Sequence, residues 1–440
     1  MKFLKRFLPD GRFGRGVFIL AGGVAFGQVL AVILSPVLTR IYSPQDFGNL
    51  QVYLSILSFT IVVVTLRYEI AIILPEKDEV AIDLLSGTLL IVFFVALLLG
   101  TILISCGYIL LLPGTKALHL YIWILPVSTL GAGLYQSLSY WALRQKSYRQ
   151  LATTKVTQGI SQITTQIVLG GIFKTGFVGL LIGDVFGRMT GSIALFKLAW
   201  RQGHALFRKT RLRSIWQALV RYRHFPLVSM GSGLLNTAGF ALPALMIGKF
   251  YGLQVLGWFS LVDRTMGIPS TLVGQSVSQV YMTEAANLAH EDPNALNDLF
   301  IKTLKRILQM GAVPFVVFFF LAPDIFSFVF NPSWREAGVY AKLLAAMYYV
   351  SIAAAPLLTT MTILEKQSWQ LCWDIGRLIS TVGALLAGHV LGWSARNSIL
   401  AYGIALFASY CIHLLLSRAL IKQLIKSHEA RQVNRNDNKN

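Results

Sequence analysis

Apolar residues in this chain gather in long blocks, and the polar residues collect in short clusters between them. The clearest blocks cover 84–112, 313–330 and 398–416. A helix needs roughly 20 mostly apolar residues to cross the hydrocarbon of a bilayer. The blocks therefore predict an all-α, polytopic integral membrane protein of about twelve spans. These fall at 16–39, 47–66, 84–112, 119–141, 151–172, 177–199, 227–248, 254–280, 307–330, 337–362, 369–392 and 398–420. The first follows a basic start, as a signal peptide would, but it is too long for such a core and more spans follow it.

The links alternate in charge. Basic side chains crowd the N-terminus, the 142–150 link (Arg144, Lys146, Arg149) and the 201–225 stretch (Arg201, Arg208, Lys209, Arg211, Arg213, Arg221, Arg223). They return at Lys302, Lys305 and Arg306 and in the tail, at Lys422, Lys426, Arg431, Arg435 and Lys439. The intervening links carry single cations, such as Arg40, Lys116, Lys174, Lys249, Arg335 and Arg396. The positive-inside rule places both termini and every basic link in the cytoplasm. Every predicted outer link is short.

A repeat is visible in these outer links. Arg40-Ile-Tyr-Ser-Pro-Gln-Asp-Phe-Gly48 aligns with Lys249-Phe-Tyr-Gly-Leu-Gln-Val-Leu-Gly257 at one constant offset, with cation, apolar residue, Tyr, Gln and Gly in register. The first copy follows span one and the second follows span seven, each after a helix with a late proline (Pro36, Pro243). This predicts two pseudo-symmetric six-helix lobes in the same orientation, a design in which a substrate path runs between the halves. The expected organisation is a first lobe at 1–200, a basic cytoplasmic connector at 201–225, a second lobe at 226–421 and a polar cytoplasmic tail at 422–440. Pro126, Pro269, Pro314 and Pro356 interrupt spans and mark expected bends.

Composition sharpens the class. Charged residues make up 13% and hydrophobic ones 55% of 440 residues, with a mean hydropathy of +0.61. A water-soluble fold has no way to cover so much apolar side chain. The net charge of +20 is explained by the cytoplasmic links and needs no nucleic-acid partner. Cys106, Cys372 and Cys411 lie far apart in apolar runs and make neither a metal spacing nor a disulfide framework.

Charges inside spans are the informative residues, because each costs about 2.5–3.5 kcal/mol or more at the bilayer centre unless it meets a partner or water. Asp184 and Arg188 are spaced i,i+4 and Asp374 and Arg377 i,i+3, so each pair can close on itself or take part in gating. Arg67 and Glu69 end span two, near the inner boundary. Asp263 and Arg264 are neighbours about 100° apart around a helix and face different ways. Arg264 is thus the leading candidate for a cation lining a water-filled cavity. Lys155 and Lys342 are expected to snorkel. Cations in the spans outnumber acids, which favours an anionic group such as a phosphate, held bidentately by arginine. Gln158, Gln162, Gln166 and Asn236 read either as cavity groups or as interhelical hydrogen bonds.

No catalytic constellation is present. The histidines (His119, His204, His224, His290, His389, His413, His428) are scattered, and Gly22-Gly23 and Gly231-Ser-Gly233 lack the Lys-Ser/Thr of a P-loop. The expectation is a non-enzyme with no catalytic residues, no metal and no cofactor.

Two segments carry a family resemblance. Ser35-Pro-Val-Leu-Thr-Arg-Ile-Tyr-Ser-Pro-Gln-Asp-Phe-Gly48, with Leu66-Arg-Tyr-Glu-Ile-Ala-Ile-Ile-Leu-Pro75, resembles the start of the polysaccharide (O-antigen, Wzx-type) flippases. These belong to the multidrug/oligosaccharidyl-lipid/polysaccharide (MOP) exporter superfamily, whose two-lobe fold agrees over the whole chain. The resemblance implies translocation of undecaprenyl-pyrophosphate-linked oligosaccharide repeat units to the outer leaflet of a bacterial inner membrane. The product would be O-antigen, capsule or exopolysaccharide. Partners would be membrane lipids and, among proteins, a polysaccharide polymerase and a chain-length regulator.

Trp258-Phe-Ser-Leu-Val-Asp-Arg264-Thr-Met-Gly-Ile-Pro269 is similar to the segment of the lipid II flippases whose arginine faces the central cavity. Those proteins carry further arginines in their first helix, where this chain has Gln28 and apolar residues, which argues against lipid II as cargo. The expected mechanism is alternating access, with Arg264, Arg67 and Arg377 attracting the pyrophosphate. The alternative within the superfamily is a small-molecule or drug antiporter, which would want an acidic or aromatic cavity. A membrane-bound polymerase or ligase would need a substantial outer loop, and none is expected.

Overall fold

The computed structural model describes residues 12–106 and 123–437. The N-terminal cations Lys2, Lys5 and Arg6, the stretch that joins spans three and four with Lys116 and His119, and Lys439 lie outside it. Among the described residues every regular element is a helix. By backbone packing the chain divides into two compact units, Met1–Ser260 and Leu261–Asn440.

The first unit runs through α1 (Arg12–Ile33), α2 (Ser35–Ile41), α3 (Pro44–Val64), α4 (Tyr68–Ala71), α5 (Asp78–Cys106), α6 (Ile124–Arg144), α7 (Tyr148–Ile167), α8 (Phe177–Lys209), α9 (Leu212–Arg221) and α10 (Met230–Tyr251). It ends within α11 (Leu253–Val262). The second unit holds α12 (Ile268–Glu291), α13 (Pro293–Phe330), α14 (Arg335–Ala354), α15 (Thr360–Ile363), α16 (Gln367–Val390) and α17 (Ala395–Asp437). Residues 226–260, which the expected lobe boundary gives to the second half, pack with the first unit.

Among the described residues, eight helical segments are long and apolar enough to cross a membrane. The other expected spans are helical too where the structure describes them. Span one breaks at Leu34, before Pro36, into α1 and α2. Span four begins outside the described residues. Span five is α7, whose sequence carries Lys155 and a ladder of glutamines. Span eight is α11 and α12, interrupted by a π-helical turn at Asp263–Gly267. Three helices outrun the bilayer: α8 has 33 residues, α13 has 38 and α17 has 43. At 1.5 Å per residue, α13 is about 57 Å long against a hydrocarbon core of about 30 Å. The tail expected to be merely polar is therefore mostly the end of α17.

Helix starts follow local chemistry. At α3, Ser43 Oγ accepts from Asp46 N (3.2 Å) and Ser43 N donates to Asp46 Oδ2 (2.9 Å), with Pro44 in the first turn. This reciprocal cap satisfies amide donors that a helix start leaves open. The second repeat copy lacks the Ser-Pro-x-Asp cap and turns instead on Gly252, at φ 93°, which a glycine adopts freely.

Packing inside the first unit is set by glycines. Gly183, Gly187 and Gly191 form a row on α8, and a side chain on any of them would collide with Gln166, Gln162 or Gln158 of α7. The backbones approach closely because nothing intervenes. A core of Ile72, Leu84, Leu85, Leu138, Trp141 and Leu195 binds its helices together. In the second unit Tyr281, Leu296, Phe300, Leu357 and Ile421 do the same. Large apolar side chains such as Phe93, Phe94, Leu97, Phe320 and Phe328 stay exposed, as lipid-facing positions should.

Candidate functional site

The Leu66-Arg-Tyr-Glu segment forms a knot between α3 and α5. Leu66 (φ 48°) and Arg67 (φ 61°) both take left-handed backbone conformations, each costing a non-glycine residue about 1 kcal/mol or more. Three tertiary contacts hold the turn. Tyr68 OH donates to Leu219 O of α9 (3.0 Å), Gln136 Nε2 of α6 donates to Glu69 Oε1 (2.9 Å), and the Arg67 guanidinium packs on Gly233 of α10. Arg67 Nη1 stands 3.7 Å from Glu69 Oε1, and Glu69 is fully buried. Arg67 Nε is buried and meets no acceptor among the described residues. The knot is neutral in sum, yet it leaves a guanidinium donor open.

A residue assigned only a topological role completes it. Arg144, at the end of α6, reaches Asp78 (Nη2–Oδ1 2.7 Å) and the carbonyls of Ile73 (3.1 Å) and Pro75 (2.6 Å). It thereby caps the end of the same motif. The acidic residues Glu76, Asp78 and Glu79 show in the sequence that a cation is wanted here, but not which one.

Deeper in the first unit, Arg188 grips Asp184 with two bonds, Nε–Oδ2 2.7 Å and Nη2–Oδ1 3.2 Å, and Gln162 Nε2 adds a third at 3.4 Å. Lys155 Nζ lies 4.3 Å above the Tyr135 ring, close enough to Arg188 to be repelled by it. With Arg188 neutralised, Lys155 is the surplus cation of this group. Tyr53, hydrogen-bonded to Ser128, stands beside the pair. Gln166 is buried with its amide on Leu180 O (3.0 Å), so Gln162 and Gln166 make interhelical bonds. Lys342 is exposed, with Nζ 5.7 Å from the Phe319 ring.

The second unit holds a longer polar chain. Tyr348 OH of α14 donates to Asp263 Oδ1 (3.1 Å) on the π-helical turn. Tyr402 of α17 lies within reach of the charges of both Asp263 and Arg377. Arg377 Nη2 meets Asp374 Oδ1 (3.3 Å), and its guanidinium lies 5.1 Å from the Trp373 ring. Gln370 Nε2 donates to Asp374 Oδ2 (3.3 Å) and Gln370 Oε1 faces His413 Nε2 (3.0 Å). A carboxylate only accepts, so Asp374 orients the Gln370 amide, whose oxygen then demands a proton on His413 Nε2. That leaves His413 Nδ1 to accept from Ser417 Oγ (3.3 Å). Sequence reasoning missed Tyr348, Tyr402 and His413 because their partners lie on other helices.

Arg264 stands apart. It is half-buried on the π-helical turn, and among the described residues no carboxylate or other acceptor meets it. Of the three arginines expected to share a site, Arg67 belongs to the first unit, and Arg264 and Arg377 belong to the second. Tyr42, in the link between spans one and two, donates to Gln166 O (2.6 Å), and burial with the Asp46 carboxylate nearby pushes its phenol up to about 12.

Comparisons with known proteins match this architecture. Residues 37–338 match the family described as polysaccharide biosynthesis protein, and the chain belongs to that family. It is 21% identical over 381 residues to the succinoglycan biosynthesis transport protein ExoT of Rhizobium meliloti (strain 1021), covering 86% of this chain and 74% of ExoT. A shorter stretch of 120 residues is 25% identical to the amylovoran biosynthesis protein AmsL of Erwinia amylovora, covering 27% of this chain and 31% of AmsL.

Among solved structures it resembles an inward-facing multidrug resistance MATE family transporter of the MOP superfamily. The TM-score is 0.63 at 13% identity, over 92% of this chain and 94% of that one. A MOP superfamily transporter from Pyrococcus furiosus, described by the reverse polarity of its binding pocket, aligns with a TM-score of 0.53 at 14% identity, over 93% and 96%. The fold is that of the MOP superfamily, and the twelve-helix, two-lobe layout read from the sequence fits it. The chain is a multi-pass membrane protein of polysaccharide biosynthesis, similar to proteins named for transport.

Proposed function

We propose that this protein is a flippase that carries lipid-linked oligosaccharide repeat units, on an undecaprenyl pyrophosphate carrier, from the inner to the outer leaflet of a bacterial inner membrane. It does so without catalytic chemistry of its own. The observation that carries the reading is Arg264, a guanidinium on a broken membrane helix with its donors open. Such a group costs several kcal/mol in the membrane unless it faces water or an anion, and a pyrophosphate matches its fork. Arg67, with Nε open, is the second contact. Arg377, already beside Asp374, positions more than it binds. The lobes that alternate are 1–200 and 226–421, joined by the connector at 201–225, with both termini in the cytoplasm.

The test is the leaflet location of the lipid-linked oligosaccharide in cells depleted of this protein. Accumulation on the cytoplasmic side with loss of surface polysaccharide is expected. Normal delivery to the outer leaflet overturns the reading. One observation favours a drug antiporter instead: Asp263 is exposed beside Tyr348, with Tyr402 in reach, an acidic and aromatic surround of the kind an organic cation wants. Raised sensitivity to cationic drugs on depletion, with polysaccharide intact, selects that reading.

A further inference from the structure

We propose that α9, inside the basic connector, is an interfacial helix that binds anionic phospholipids of the inner leaflet. At about 100° per residue, its ten residues sort into three arcs. Ile215, Ala218 and Leu219 fall within about 100° and face the protein; Ile215 and Ala218 are buried, and Ile215 and Leu219 rest on Gly87 of α5. Leu212, Trp216 and Val220 fill the adjoining ~80°, and they are 79%, 68% and 42% exposed. Arg213, Gln217 and Arg221, all exposed, and the half-buried Ser214 occupy the arc that remains.

A helix with one apolar side on protein, a second apolar side open and cations on the third lies where protein, lipid tails and headgroups meet. Leu227 and Val228, also exposed, continue the open apolar surface beyond the helix.

The level in the membrane agrees. Trp200 stacks between Phe196 and Phe207 on α8, with ring centroids 6.3 Å and 5.8 Å away. It lies about 35 Å along that helix from Phe177, near the far edge of a hydrocarbon core of about 30 Å. Tryptophan is enriched at that boundary; α8 runs nine residues past it, but Gly203 of α8 meets Ile82 of α5 while α9 rests on Gly87, five residues deeper, which returns α9 to the level of Trp200.

Charge selects the lipid. No aspartate or glutamate occurs between Asp184 and Asp263, so Arg211, Arg213, Arg221 and Arg223 have no acidic neighbour in sequence to satisfy them. Clustered cations beside the cytoplasmic leaflet attract anionic headgroups. The helix is also tied to the Leu66-Arg-Tyr-Glu knot, because Leu219 O accepts from Tyr68 OH. The inference uses the cytoplasmic orientation proposed above but not the transport reading.

The experiment uses the full-length protein in phosphatidylcholine nanodiscs carrying a small, equal fraction of either brominated phosphatidylglycerol or brominated phosphatidylcholine. The Trp216 signal is the fluorescence of the unsubstituted protein minus that of Trp216→Phe. Both brominated lipids should quench it, phosphatidylglycerol at least about twofold more. High salt should erase the difference, as should Arg211→Gln, Arg213→Gln, Arg221→Gln and Arg223→Gln combined. Equal quenching by the two lipids at low salt overturns anionic selectivity. A Trp216 signal that neither lipid quenches shows a protein-covered face and overturns the proposal entirely. No outcome depends on transport, so the two readings fail separately.

Discussion

Gly48 and Gly257 make the same contact from opposite copies of the repeat: a Cβ on Gly48 would run into Leu253 O, and one on Gly257 into Pro44 O. Partners and glycines share one sequence offset, 48 to 257 and 44 to 253. The starts of α3 and α11 therefore cross reciprocally, backbone against backbone. A backbone carbonyl cannot rotate aside as a flexible side chain can.

Gly257→Ala and Gly48→Ala are each expected to push this crossing apart at a cost of about 1–3 kcal/mol and to impair export. Gly383→Ala in α16, where an added Cβ meets nothing, should be neutral or stabilising by up to about 1 kcal/mol. Thermal unfolding of the purified variants, beside surface polysaccharide measured in cells, checks both. Wild-type melting and export in the Gly257 variant would show that the crossing yields easily.

Arg264→Ala should reduce export at least about tenfold while protein level and melting are kept, since the residue forms no ion pair among the described residues. Arg264→Lys should recover only part, because an ammonium lacks the bidentate fork. Surface polysaccharide normalised to protein level is the readout; full export by the alanine variant removes Arg264 from the substrate path.

Asp184→Asn should destabilise the first unit by about 3 kcal/mol, because Arg188 is then left without its carboxylate. Asp184→Asn combined with Arg188→Met should recover much of that loss. A double-mutant cycle on unfolding measures the coupling, and additive single effects would mean that the bidentate pair contributes nothing.

Arg144→Ala should loosen residues 72–79 by removing the guanidinium that holds Ile73 O, Pro75 O and Asp78. A Glu-specific protease should then cut at Glu76 or Glu79 in inside-out membrane vesicles and not in right-side-out ones. Cleavage in the opposite set reverses the proposed orientation.

Tyr68→Phe removes the bond to Leu219 O, worth about 1 kcal/mol. Amide exchange across 212–221 should speed up without a matching change in α6. Unchanged exchange there would mean that the packing on Gly87 alone seats α9.

How far each feature could be read depended on how local its cause is. The spans were legible because a bilayer demands an apolar run at each crossing. The pairing of Asp184 with Arg188 and of Asp374 with Arg377 was legible because helical spacing alone brings them together. The repeat was legible in register, although its reciprocal contact emerges only in three dimensions. Arg144 was not legible as a cap, nor Tyr348 as the partner of Asp263, because both contacts join segments far apart in sequence. The glutamines of α7 were open to two readings until their neighbours on α8 were known. A π-helical turn, Asp263–Gly267, directly precedes Pro269, where the sequence predicts a bend.

The glycine row of α8 bears on how the protein enters the membrane. α7 is too polar to count as a membrane helix by itself, and α8 takes up part of that polarity: Gln166 Nε2 donates to Leu180 O, and Gln162 Nε2 to Asp184. A ribosome delivers α7 first. It must therefore wait at the insertion machinery until α8 emerges and closes over it. The two then enter the bilayer as a hairpin, with their polar contacts formed before lipid surrounds them.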